Sequence, residues 1–242
     1  MKPRPLLAGL ACLLLAGRPG AQEPPLVFIA AANHTMPFSE LHQERLTGGI
    51  VKDLGEAIAA RLGRSARFVV VPAKRVSRLL DSGGADALCY TTRDWIAAKA
   101  VHWSPPLFDY TGVVARGPQA QPRQQLSELA GERLGTVAGY VYPEVEAALG
   151  PQFLRDDAPD MDRNLAKLAA GRVGYALTER LTLAYAMRRA PQQGLAPMLT
   201  TVSYPTACAF STRRGLPLVQ IDRVMAELVK DGSIERLLAR YR

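Results

Sequence analysis

VKDLGEAIAARLGRSARFVVVPAKRVSRLLDSGGADALCY, residues 51 to 90, changes its period three times, and those changes decide the fold. Val51, Leu54, Ile58 and Leu62 recur at helical spacing, and Gly63 stops the run. RFVVV (67–71) is β-branched and ends at Pro72. KRVSRLLDSGG then returns to a helix and ADALCY to a strand. LVFIAA (26–31) precedes all of this as a buried strand, so the first hundred residues read β-α-β-α-β. That order argues for a parallel sheet covered by helices.

A second unit of the same kind follows. LSELAG (126–131) reads as a short helix, RLGTVAG (133–139) as a strand into a glycine turn, and YPEVEAALG as a helix with proline in its first turn. QFLRDD reads as a strand, DMDRNLAKLAAG as a helix closed by Gly171, VGYALTE (173–179) as a strand and RLTLAYAMRRA as a helix. PMLTTV (197–202) and PTACAFS (205–211) read as two further strands. PLVQIDRVMAELVKDG then lines up Leu218, Ile221, Met225 and Leu228, and SIERLLARYR closes the chain. No repeat aligns the two units. Crossovers near 109–116 and 204–212 would join them as two hinged lobes, and ligands of such sheets sit beyond the carboxyl ends of the strands.

The N-terminus sets the compartment. Lys2 and Arg4 precede LLAGLACLLLAG (6–17), an apolar run of 12 residues. A bilayer span needs ~20, so residues 1–21 read as a secretory signal and the chain as exported. Cys12 lies within that apolar core. Cleavage after Ala21 leaves 221 of 242 residues, enough for two lobes. The formal charge of +8 falls to +5 once Lys2, Arg4 and Arg18 are removed. The remaining basic residues are scattered, without the aromatic interleaving of a nucleic-acid face. Cys89 and Cys208 remain, and an even count in an oxidising compartment favours a disulfide.

Seven segments in order carry a resemblance. MPFSE (36–40), LTGGIVKDLGEAIAARLG (46–63), GGADALCY (83–90), KAVHWSPPL (99–107), LAGERLGTVAGY (129–140), LAAGRVGYALTE (168–179) and the closing stretch from Cys208 are similar to motifs of extracellular solute-binding family 3, the binding proteins of polar amino-acid uptake. The resemblance implies an α/β, two-lobed periplasmic-binding-protein fold (type II). Each lobe would be a mostly parallel sheet covered by helices, and two crossover strands would join them. Lobe 1 would be 22–112 plus 206–242, and lobe 2 113–205. It also implies that the strands bearing Cys89 and Cys208 run close together, within disulfide range. The implied ligand is a small polar solute, amino acid-like or amine-containing, bound in the periplasm, and the implied partner an inner-membrane ABC permease; the protein would be a monomer with no cofactor, no metal and no nucleic acid.

The departures from the family pattern bear on the ligand. The family's arginine clamp for an α-carboxylate falls on Ala97 or Ala98, with Arg93 earlier in the chain, and its Gly-Thr-Thr is Gly139-Tyr140-Val141. The helix N-terminus there leaves amides for an anion. Glu179 stands where the family holds the ammonium-binding aspartate. The expectation is that a polar or anionic end of the ligand meets Thr91, Thr92 and Arg93, with Tyr140 across the cleft and Glu179 at the other end. Phe38 and Tyr90 would form walls, and Gly139 the turn beside Tyr140. Each position has a bland alternative. Arg93 is otherwise a solvated turn residue, Glu179 a helix cap, Tyr140 and Tyr142 lobe packing, and Phe38 core. Trp103 reads as core, and Trp95 is undecided.

Catalytic signatures are lacking: no G-x-S-x-G, Walker loop, H-E-x-x-H or G-x-G-x-x-G occurs, and His34, His42 and His102 share no metal-ligand spacing. Two other readings stay open beside transport. One is a cyclohexadienyl dehydratase-like enzyme with Glu179 as general acid. The other is a ligand-sensing protein for a membrane receptor.

Overall fold

The computed structural model describes residues 23–242, so the signal assigned to 1–21 lies outside the described residues. The chain runs β1 (Leu26–Ala31), β2 (Glu40–His42), β3 (Arg45–Gly48), α1 (Ile50–Arg61), β4 (Ala66–Val71), α2 (Ala73–Asp81), β5 (Ala87–Thr91), β6 (Val101–Trp103) and β7 (Phe108–Arg116). It continues with β8 (Arg133–Val137), α3 (Pro143–Leu149), β9 (Leu154–Ala158), α4 (Met161–Ala169), β10 (Tyr175–Glu179), α5 (Arg180–Arg189), β11 (Ala196–Ser211), α6 (Leu218–Lys230) and α7 (Ser233–Ala239).

The main sheet has the order β4-β1-β5-β11-β7-β10-β8-β9, with β6 paired to β11. β4, β1 and β5 are mutually parallel, as are β10, β8 and β9. Between these two groups lies the antiparallel pair β7–β11, in register from Ala196 opposite Arg116 to Thr206 opposite Phe108. Residues of β11 beyond that point pair with β5 instead. β7 and β11 are therefore the crossover strands of a two-lobed fold.

Each lobe buries its sheet on both faces. In β1, Leu26, Phe28 and Ala30 enter one core with Ile50, Leu54 and Ile58 of α1 and Ile221 and Met225 of α6. The alternate residues Val27 and Ile29 enter a second core with Val76 and Leu80 of α2. Period-two alternation of an all-apolar strand is what a sheet covered on both sides requires. The second lobe repeats the arrangement, with Leu165 and Leu168 of α4 on one face and Val145 and Leu149 of α3 on the other.

Two parts of the chain differ from the sequence reading. The two strands expected at 197–202 and 205–211 are one continuous β11. Pro205 lacks the N–H of a ladder donor, but β11 there has β7 alone as a neighbour, the edge condition under which proline is tolerated. The hairpin β2–β3 was not anticipated, because its turn is made by Gln43 and Glu44 at positive φ where Asn-Gly is the usual signal.

Cys89 and Cys208 are joined by a disulfide between β5 and β11, both side chains buried. It closes a loop of 119 residues. Replacing both cysteines by alanine should lower the unfolding free energy by about 3–5 kcal/mol. Urea midpoints of the double variant and the oxidised protein measure this, and coincident curves would show that the bond adds no stability.

Candidate functional site

The two lobes enclose a cleft of about 360 Å³. Its first wall comes from residues just past the carboxyl ends of β1 and β5. Asn33, His34 and Thr35 follow β1, and Phe38 stands slightly further on. Tyr90 and Thr91 end β5, and Asp94 and Trp95 follow. The second wall comes from the turn after β8 (Gly139 to Tyr142) and from Thr178 and Glu179 at the end of β10. Tyr110 and Tyr204 of the crossover strands complete it.

Tyr90 owes its position to a bulge. Leu88 pairs with Ala209 and Thr91 with Ala207, so Cys89 and Tyr90 together face the single residue Cys208. Tyr90 takes φ 58°, a left-handed conformation that strains a bulky residue. The bulge re-aims its ring into the cleft. There the ring stacks on Phe38 at 4.0 Å and on Phe108 at 5.5 Å and meets the edge of Trp95 at 5.7 Å. Trp95 donates its indole N–H to the Tyr204 hydroxyl at 3.1 Å, and Tyr204 stacks on Tyr110 at 5.1 Å. The cleft is thus walled largely by aromatic rings.

Glu179 is buried and caps α5. Its carboxylate accepts from the amides of Leu181 and Thr182 at 3.0 and 2.8 Å and from the Thr182 hydroxyl at 3.1 Å. Burial nonetheless pushes its pKa from 4.5 up to about 7, because three hydrogen bonds only partly offset the loss of water around the charge. Burial also lowers the pKa of His34 to about 4, so its imidazole is neutral. Three polar atoms of cleft residues are buried without partners: Asn33 Oδ1, His34 Nδ1 and Thr178 Oγ1. Asn33 Nδ2 reaches across the cleft to the Tyr140 hydroxyl at 3.4 Å.

Of the residues expected at the site, Phe38, Tyr90, Thr91, Gly139, Tyr140 and Glu179 line the cleft. Glu179 combines this with the capping role that was its alternative. Thr92 and Arg93 do not line it. The guanidinium of Arg93 lies over the ring of Trp103, 5.1 Å from its centroid, and the residue is exposed. An exposed cation retains its hydration while stacking on an aromatic face, and that arrangement prevails over a desolvated position in the cleft. Trp103 itself is half-buried against the first lobe's core.

The geometry gives little support to an anion site at the opening of α3. α3 begins with Pro143, which has no N–H, and carries Glu144 and Glu146 in its first turn. The turn before it is braced from behind by Arg155, which donates to the carbonyls of Val137 and Tyr140 at 3.1 and 3.0 Å. Asn33, His34, Asp94, Tyr110, Thr178 and Tyr204 were not anticipated. For Asn33 and His34 the signal was present, since they directly follow a parallel strand.

The model of the bacterial extracellular solute-binding proteins, family 3, matches residues 27–242. Comparison with curated protein sequences gives no significant match. Among solved structures, an ancestral arginine-binding protein bound to arginine is similar at TM-score 0.71 and 20% identity, covering 90% of this chain and 97% of that one. The GluR0 ligand-binding core in complex with L-glutamate is similar at TM-score 0.74 and 17% identity, over 92% and 99% of the two chains. A histidine kinase sensor domain with similarity to periplasmic binding proteins aligns at TM-score 0.69 and 21% identity, over 90% and 95%. The chain belongs to the bacterial extracellular solute-binding proteins, family 3.

Two outcomes follow from this geometry. Glu179 has a folded pKa above its unfolded value, so its contribution favours the native state fully below pH 4.5 and is lost as pH rises through 7. Compared with Glu179→Gln, the protein should lose on the order of 3 kcal/mol across that window. Denaturant titrations at its two ends test this, and parallel pH dependences would show that the carboxylate is not desolvated. Arg93→Ala should leave affinity for any cleft ligand within about twofold, since an exposed cation–π pair contributes little. A tenfold loss in calorimetry would return Arg93 to the site.

Proposed function

We propose that this family 3 protein binds a small polar solute between its lobes in the periplasm and delivers it to an ABC importer. One observation carries the reading. A cleft lined from both lobes lies beside β7 and β11, the strands by which the main chain passes between them. Lobe 1 (22–112 with 206–242) and lobe 2 (113–205) then move about that pair. A ligand touching both walls stabilises the closed form by its differential affinity for it. A membrane permease recognises the closed form, with the protein acting as a monomer.

The expected polar contacts of the solute are Thr91, Tyr140 and Glu179, joined by Asn33 and Thr178. Phe38 and Tyr90 form the apolar wall. Dehydration of an acidic substrate is a poorer fit. Its carboxylates need cations, and among the described residues no lysine or arginine lines the cleft. Glu179 is moreover already engaged as a cap. Similarity to a sensor domain extends to the fold.

The test is thermal-shift screening of the purified chain against amino acids, amines and small carboxylates, followed by small-angle scattering with any hit. A ligand at 100 times its Kd should add about 2.7 kcal/mol of stability and reduce the radius of gyration. A hit that stabilises without compaction would rule out closure, and no hit from any class would rule out solute binding.

A further inference from the structure

We propose that the solute is a small organic cation without a carboxylate: a protonated amine whose N–H groups meet Thr178, Asn33 and Glu179 and whose body lies against Tyr110, Trp95 and the edge of Tyr90. The proposal rests on the reading of the cleft as a solute site and names the class of solute.

The balance of charge comes first. Asp94 and Glu179 line the cleft, whereas no lysine or arginine among the described residues does. The nearby arginines are committed elsewhere. Arg93 lies on Trp103, Arg155 is tied to the carbonyls of Val137 and Tyr140 and to Asp157, and exposed Arg180 reaches Thr200. The two helix openings of the second wall offer an anion little. α3 starts with proline and two glutamates, and the amides of Leu181 and Thr182 in α5 are already bonded to Glu179. A ligand carboxylate here would be desolvated, facing two carboxylates and no cation. The same field favours a positive ligand.

The unpartnered atoms specify how that charge is held. Thr178 is 4% exposed, and its hydroxyl oxygen has no partner. The side-chain oxygen of Asn33, on the opposite wall, is also unpaired. An amide oxygen accepts and cannot donate, so its complement is a donor. The Glu179 carboxylate has about four lone-pair sites and receives three hydrogen bonds, which leaves it one further acceptance. An ammonium group, with several N–H donors, meets all three demands.

The remaining wall suits the rest of such a molecule. The ring of Trp95 stands 5.7 Å from that of Tyr90 and 5.2 Å from that of Tyr110, and aromatic rings attract cations and cover apolar stems. A cleft of about 360 Å³ lies near the lower bound for ligand sites, which limits the solute to few heavy atoms.

Pairs of compounds that differ by one carboxylate test the proposal: histidine and histamine, tyrosine and tyramine, lysine and cadaverine, arginine and agmatine. Each is titrated calorimetrically into the chain freed of co-purified solute, above the Glu179 pKa. At least one amine should bind about tenfold or more tighter than its parent amino acid. Asp94→Asn, a change on an exposed loop, should weaken that amine about threefold or more. Thr178→Val, which keeps the side chain's shape and removes its acceptor, should weaken it about tenfold. An amino acid that binds as well as its amine overturns this inference and leaves the solute-binding reading standing. Failure of every amine also overturns it. Failure of every amine and every amino acid removes the solute-binding reading too.

Discussion

The antiparallel pair β7–β11 is the constraint on which the rest of the molecule depends. Each lobe is a parallel sheet with its own two-sided core, and across the joint Leu181 of α5 enters the first lobe's core while Arg188 donates to the carbonyls of Arg240 and Arg242. The paired strands set the distance between the lobes and hold the carboxyl ends of β1 and β5 opposite those of β8 and β10. Close approach of the two strands sets a requirement at Gly112, where a Cβ would lie 2.6 Å from Thr201 Oγ1. The same ladder contributes to the site. Tyr110 and Tyr204 are directly opposite in its register and stack with rings inclined by 23°. The joint between the lobes is therefore also cleft wall, so a ligand stacked there would contact the joint itself.

Where β11 leaves β7 and joins β5, the two strands disagree in length by one residue. Cys208 faces both Cys89 and Tyr90, and the disulfide ties the shorter side to the longer one. Tyr90 takes up the mismatch in a conformation that a bulky side chain avoids. Stacking on Phe38 and Phe108 offsets this locally, and the result is a ring fixed at the centre of the site. A second buried group performs a comparable task behind the lobe. Asp86 accepts from the Val27 amide at 2.7 Å and from Arg214 at 2.8 Å, linking β1 to the segment that follows β11. The aspartate of the GGADALCY motif is thus architectural and has no part in the cleft.

Much of the fold was legible because burial imposes a period. β1, α1, β10 and α6 carry unbroken apolar repeats, and their positions follow from those repeats. The β2–β3 hairpin, exposed or half-buried throughout, has no such imprint. The site was legible where a strand end could be recognised, as for Tyr90, Tyr140 and Glu179. Arg93 satisfies the same rule and yet lies outside the cleft lining. Which way a turn residue points depends on a partner ten positions later, Trp103, that no local pattern identifies. Tyr110 and Tyr204 were hidden for another reason. They lie within crossover strands, where alternation tells which residues share a face but not that the face borders a cleft.

Glu179 is asked for two incompatible things. Capping α5 requires a carboxylate with its oxygens on the amides of Leu181 and Thr182, whereas burial between the lobes favours the neutral acid. A pKa raised to about 7 reflects both demands, burial pushing it up and the cap's hydrogen bonds holding it down. A ligand cation on the cleft side changes that balance by supplying the charge that water no longer supplies, and it lowers the pKa as it binds. On the proposed reading, closure would remove still more water, so the uncompensated charge would be penalised most in a closed cleft without a cation and least in one that holds it. The difference between those two states is the differential affinity that moves a hinge. On the proposed reading, a helix cap placed at a cleft wall would make closure conditional on the sign of the solute's charge.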